Sequence, residues 1–149
     1  MMTVAAHPSH ILPLLARLGA AEVALVNARS GIGAVTEIAG SLRASGMTWC
    51  GLDADGPVTL GGVIPMQDGS GMVWQVVAPA PVLRLHKRAY VQQGRVMLRQ
   101  AMLRHGRLFM LIRASYGAAL RHAARLGFVE TSRTMLVGVQ MSRCERIAA

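Results

Sequence analysis

The residues able to do chemistry are few and poorly matched to each other. The 149-residue chain carries five histidines, two cysteines and seven carboxylates. His7 and His10 stand three apart, but no cysteine or acid joins them at ligand spacing, so a metal site is not expected. Cys50 falls in a predicted strand and reads as a small buried core residue. Cys144 lies between Arg143 and Arg146, cations that would lower a thiol's pKa, yet nothing marks it as a nucleophile. Ser30-Gly31-Ile32-Gly33 is a glycine-rich turn without the lysine and preceding apolar strand of a phosphate loop. Tyr116 and Asp68 are the candidates for proton transfer, and Arg84, Lys87 and Arg88 for holding phosphates by side-chain charge. Arg84, Arg88, Arg95 and Arg99 recur at spacings of four, seven and four, a single stripe on a helix and a candidate partner-binding face.

The elements that must position these groups follow from periodicity. Residues 2–6 read as a short strand. Pro8 and Ser9 start a helix carrying Ile11, Leu14, Leu15 and Leu18, and Gly19 stops it. A brief helical pattern over 20–28 breaks at Ser30-Gly31, and residues 33–44 form another helix. The period then changes to two. Strands are predicted over Met47–Leu52, Val58–Ile64 and Met72–Ala78, joined by turns at Asp53–Gly56 and Gln67–Gly71. One long helix is expected over 82–104 with Gly94 as its weak point, then a strand over Leu108–Ile112. A helix over 116–126 follows, capped by Ser115 and ended by Gly127, and the last strand is Met135–Met141. This order predicts an α+β fold, a mostly antiparallel mixed sheet flanked by helices, in a single domain over 1–149.

Composition narrows the class. Hydrophobic residues make up 52% and charged residues 15%, the opposite of a disordered chain. No apolar run is long enough to span a membrane, and the start lacks the basic region of a signal peptide. The net charge of +9 is unevenly spread: residues 1–80 sum to −2 and residues 81–149 to +11. That field favours phosphates, nucleic acid or an acidic protein surface. An aromatic content of 4% argues against stacking platforms for single strands.

The stretch Ala118-Ala119-Leu120-Arg121-His122-Ala123-Ala124-Arg125-Leu126-Gly127-Phe128, behind the turn-linked strands and long helix, resembles the penultimate helix of the Gcn5-related N-acetyltransferase (GNAT) superfamily. It is most similar in flavour to divergent GNAT-like proteins of tailed bacteriophages, on the strength of Leu108–Phe128, Gly62-Val63 and Trp74. The resemblance implies three catalytic features, and this chain departs from each. The pyrophosphate loop would fall at Ala78–Arg84, which has no glycine and two prolines; Gln92-Gln93-Gly94-Arg95 is a distant echo within a helix interior. The strand Met72–Val77 has no acid to serve as base, and Asp68 and His86 lie only to either side. The position of the thiolate-protonating tyrosine is Ala123, and that of the preceding asparagine is Tyr116.

The first expectation is therefore a phage GNAT-fold protein, catalytically degenerate and without a cofactor, serving as a structural component of the virion or its assembly. It would form oligomers, contact other virion proteins or an acidic surface through the arginine stripe with Arg104, Arg107 and Arg113, and reside in the virion or host cytoplasm. Nonspecific nucleic-acid binding is a further expectation. The alternative is an active N-acetyltransferase using acetyl-CoA, with Arg84, Lys87 and Arg88 on the phosphates and Tyr116 or Asp68 moving protons.

Overall fold

A computed structural model describes residues 1–20, 23, 24, 26 and 33–148. Seven strands form one sheet in the order β1-β2-β3-β4-β5-β7-β6. They are β1 (Met2–Val4), β2 (Met47–Asp53), β3 (Gly56–Pro65), β4 (Gly71–Val77), β5 (Arg107–Arg113), β6 (Val129–Leu136) and β7 (Val139–Ile147). All neighbours are antiparallel except β4 and β5. The helices are α1 (Ile11–Arg17), α2 (Ala34–Ala44), α3 (Ala80–Leu85), α4 (Lys87–His105) and α5 (Gly117–Arg125). The predicted α+β class and antiparallel meander hold. Ser30-Gly31-Ile32, the Gly-rich turn of the sequence, lies outside the described residues.

Period-two alternation divides the core between the two faces of the sheet. Cys50, Val58, Leu60, Trp74 and Val76 point toward α1 and α2, where Ile11, Leu14, Ala34 and Ile38 meet them. Trp49, Val63, Val73, Leu108 and Ile112 point the other way, under Leu98 and Ala101 of α4 and Ala123 of α5. The strand β3 carries Gly61-Gly62 because an indole crosses each face. A Cβ on Gly61 would come within 2.7 Å of the Trp49 ring, and one on Gly62 within 2.9 Å of Trp74 Nε1. Trp74 Nε1 donates to Ser45 Oγ at 2.8 Å, which ties β4 to the end of α2.

Two polar networks pin the periphery. Gln93, buried in α4, accepts from the Thr59 hydroxyl at 2.9 Å and donates to Thr3 Oγ1 at 3.0 Å, joining α4 to β3 and β1. Arg17 grips Asp53 through both terminal nitrogens at 2.9 and 3.0 Å, and His86 Nε2 lies 3.0 Å from the same carboxylate. His86 is the joint between α3 and α4.

Four sequence expectations need correction. The long helix is broken at His86, where φ −116 and ψ 18 leave the helical region, so Arg84 is separated from the rest of its stripe. Gly94, the expected weak point, is continuous helix. Ser115 does not cap α5; Tyr116 is the N-cap residue and makes no side-chain capping bond. The single last strand over 135–141 is instead the tip of a hairpin, because the chain reverses at Val137-Gly138 with φ 50 and 74.

Candidate active site

The parallel strands β4 and β5 are paired only at Gly71–Leu108 and Met72–Phe109, and then diverge. Beyond Met72 the β5-facing edge of β4 has no strand partner among the described residues. The gap is a cleft of about 490 Å³ whose walls are mostly aliphatic. It is lined from both faces of the sheet: Leu18, Val26, Trp74 and Val76 on the α1–α2 side, and Gln75, Tyr90, Tyr116 and His122 on the α4–α5 side. Arg84 and Lys87 stand at the wall formed by α3 and the start of α4, and Arg113 and Arg125 complete the basic groups.

One polar cluster sits in this apolar setting. The His122 and Tyr90 rings stack with centroids 5.1 Å apart and planes 20° from parallel. Tyr90 donates its hydroxyl to Gln75 Oε1 at 3.2 Å. Burial, helped by the Arg125 charge, lowers the His122 pKa, so the imidazole is neutral at neutral pH. Burial also pushes the Tyr90 phenol up to about 12, with Tyr116 adding to the shift. No carboxylate lines the cleft among the described residues, and His122 is its only lining histidine. A neutral, partly buried imidazole can take a proton where no acid is present.

The sequence candidates separate. Tyr116, Arg84 and Lys87 line the cleft, whereas Arg88 is exposed and does not. Asp68 is away from it: its carboxylate caps Ser70 in the β3–β4 turn and meets Arg107 at 3.3 Å. Arg95 and Arg99 line a different, smaller pocket. Arg104 donates to the Gly46 carbonyl at 3.3 Å. Cys50 is buried as expected, its thiol pushed up to about 11. Cys144 differs from expectation: burial raises its pKa, and the flanking arginines do not activate it. The His7–His10 pair is a local turn, with Ser9 N donating to His7 Nδ1 at 3.1 Å, and no metal-binding group occurs among the described residues.

Tyr90, Gln75 and His122 were missed as a cluster. Tyr90 and His122 are 32 positions apart on different helices, so spacing carries no signal of their stacking. The available hint was that His122 precedes Ala123, the position where the resemblance implies a tyrosine.

No protein-family model matches the chain, and no curated protein matches it by sequence. Solved structures do match. An Ard1 from Thermoplasma volcanium aligns with TM-score 0.75 at 14% identity, covering 99% of this chain and 97% of that one. The aminoglycoside acetyltransferase AAC(6')-Ib, solved with coenzyme A and kanamycin, aligns with TM-score 0.71 at 12% identity, covering 98% and 94%. A spermidine N-acetyltransferase chimera from Vibrio cholerae and hSSAT gives 0.66 at 12%, covering 99% and 96%. These findings overturn the expectation of a degenerate, cofactor-free structural component of a virion. Two of these neighbours are acetyltransferases by name, one of them solved with coenzyme A, and nothing found links the chain to a bacteriophage or a virion. In the structure Pro79 is the N-cap of α3 and Pro81 lies in its first turn, so the prolines begin a helix beside the cleft, and His122 is among the cleft's lining residues. Among the described residues no helix is long and apolar enough to cross a membrane. An acetyltransferase of GNAT family from Streptococcus pneumoniae aligns with TM-score 0.60 at 11% identity over 99% of both chains, so over nearly its whole length the chain has the fold of the GNAT acetyltransferases.

Proposed function

We propose that this chain is an N-acetyltransferase that uses acetyl-CoA and a primary amine. The observation that carries the reading is the cleft opened between β4 and β5, which passes through the sheet and holds one neutral histidine. The fit to acetyl-CoA is favourable on this structure's own terms. The aliphatic walls suit a pantetheine arm, and Arg84 and Lys87 stand at the same wall to meet phosphates. The 19-residue α4 starts there with no side-chain cap, leaving first-turn N–H groups open to an anion. These features replace the glycine loop that Ala78–Arg84 lacks.

Acetyl-CoA supplies the activated acyl group as a thioester. The unpaired N–H groups on the β5-facing edge of β4 are positioned to hydrogen-bond a carbonyl oxygen as charge builds on it. His122 takes the proton of the attacking amine, its neutral form maintained by burial. Tyr116, half-exposed on the cleft wall, returns a proton to the departing sulfur. Gln75 and Tyr90 hold the imidazole plane by the hydrogen bond and the stack.

The test is thiol release from acetyl-CoA in the presence of a polyamine, an aminoglycoside and a peptide with a free N-terminus. Amine-dependent release, reduced roughly 10²–10⁴-fold in His122→Gln, is expected. Absence of acetyl-CoA binding at millimolar ligand, together with no release for any amine, would remove the proposal.

A further inference from the structure

Apart from the cleft, the described residues hold a second concavity of about 200 Å³, and its walls are almost entirely guanidinium. Arg95 and Arg99 from the middle of α4, Arg125 from the end of α5 and Arg146 from β7 surround it, with Leu126 as the one apolar neighbour. None of these four arginines is ion-paired among the described residues, although Arg17, Arg107, Arg133 and Arg143 all are. The acids that could have served are engaged elsewhere: Asp53 with Arg17, Asp68 with Arg107, Glu130 with Arg133, Glu145 with Arg107 and Arg143. Arg146 is seated over Gly127, whose Cβ, if present, would lie 3.4 Å from Arg146 Nε; the left-handed φ of +88 at Gly127 makes room for it.

We propose that Arg95, Arg99, Arg125 and Arg146 form a binding site for a phosphate group. Four unneutralised cations converging from three elements repel one another, and an anion placed among them reverses that repulsion. Guanidinium forks match the tetrahedral oxygens of phosphate in pairs, and two of the four are held one helical turn apart on α4. The volume equals that of about six or seven waters, the scale of a mono- or diphosphate and not of a nucleotide. Arg125 lines both this pocket and the cleft, so the phosphate belongs either to the thioester donor or to a separate phosphorylated molecule. The site stands independently of acyl transfer.

Inorganic pyrophosphate titrated calorimetrically into the full chain at low salt provides the test. A binding component is expected that is weakened at least tenfold in Arg99→Gln/Arg146→Gln with an unchanged thermal transition, and that persists in Arg84→Gln/Lys87→Gln, the variant that removes the cleft's own phosphate contacts. Should the Arg146 variant fail to fold, Arg95→Gln/Arg99→Gln on the exposed side of α4 carries the same expectation. Coenzyme A separates the sources. If the arginine variants also weaken coenzyme A but leave pantetheine unaffected, the phosphate is the donor's; if coenzyme A is unaffected, it comes from another molecule. Either result supports the site. Absence of pyrophosphate binding, or equal binding by wild type and variants, overturns it. Arginine-dependent binding of random duplex DNA without pyrophosphate binding also overturns it, in favour of an extended polyanion.

Discussion

Replacing Asp53 by alanine tests whether the joint at His86 is held electrostatically. The Asp53 side chain is 11% exposed and Arg17 is 17% exposed. The carboxylate takes two bonds from Arg17, one from the Asp55 amide at 2.9 Å, and lies 3.0 Å from His86 Nε2. Among the described residues, truncation leaves the Arg17 guanidinium with the Gly56 and Pro57 carbonyls alone, both at 3.2 Å. A fully buried pair broken on one side costs roughly 3–5 kcal/mol; the two remaining acceptors and the partial exposure put this one at about 3 kcal/mol. Unfolding entropy of about 2.1 cal/mol/K per residue converts that, over this chain length, to a fall in Tm of about 10 °C. Calorimetric or circular-dichroism melts at pH 7 read it directly. The pH dependence fixes the origin. The Arg17 hydrogen bonds, aided by the Asp55 amide and His86, hold the Asp53 carboxyl well below the usual carboxylate range. Its stabilisation is therefore present above the unfolded value of about 4 and is lost as pH falls through the folded value. The gap between wild type and Asp53→Ala should narrow progressively below about pH 4. A fall in Tm of under about 3 °C at pH 7, or a gap that widens in acid, would refute the reasoning and make the pair an ordinary surface contact.

Other outcomes follow from the same geometry. In wild type the acid limb of kcat/KM should lie below pH 6.5, because burial lowers the His122 pKa, and His122→Gln should abolish that limb in a rate–pH profile. The same shift makes the unfolded chain bind this proton first, so the contribution of His122 to stability should decline as pH drops below about 6.5, and His122→Gln should flatten that decline in melts. Gly61→Ala places a Cβ 2.7 Å from the Trp49 indole and should cost about 1–3 kcal/mol, with a shift in tryptophan emission. Gln93→Leu strips the Thr59 hydroxyl of its acceptor and should cost about 2 kcal/mol by denaturant titration. Val137→Asn should stabilise by about 1 kcal/mol, since Val137 sits at φ 50 in a hairpin turn that an Asn-Gly pair fits without strain.

The parts legible in the sequence are those governed by local rules. The Asp53–Gly56 and Gln67–Gly71 turns, the α2 boundaries and the C-terminal glycines of α4 and α5 depend on a few adjacent residues, and each came out as read. The β6–β7 hairpin did not. Its turn is Val137-Gly138, and a valine at positive φ is an exception to turn chemistry; β6 is moreover exposed throughout, so no alternation marks it. The break at His86 was hidden for a different reason. No glycine or proline stands at the break, and the partner His86 meets there is Asp53, 33 positions away. The candidate site divided along the same line. Tyr116, Arg84 and Lys87 were found by their proximity to recognisable segments, whereas the His122–Tyr90–Gln75 cluster exists only after three elements pack. The inference of a dead site came from matching expected residues at expected positions, and His122, one residue from the position where a tyrosine was sought, lines the cleft in its place.

On the proposed acyl-transfer reading, a cleft lined from both faces of the sheet also constrains the order of chemical events. Among the described residues its lining contains no cysteine, serine or threonine, and both thiols are buried with raised pKa values. The thiol and aliphatic hydroxyl carriers of a two-step transfer are thus lacking among the described lining residues. A donor and an acceptor entering from opposite faces must be resident together, so double-reciprocal plots should intersect and not run parallel. Release of thiol should require the amine, with no burst in its absence. On that reading the cleft is a meeting place for two molecules, and turnover should stall whenever either face is blocked.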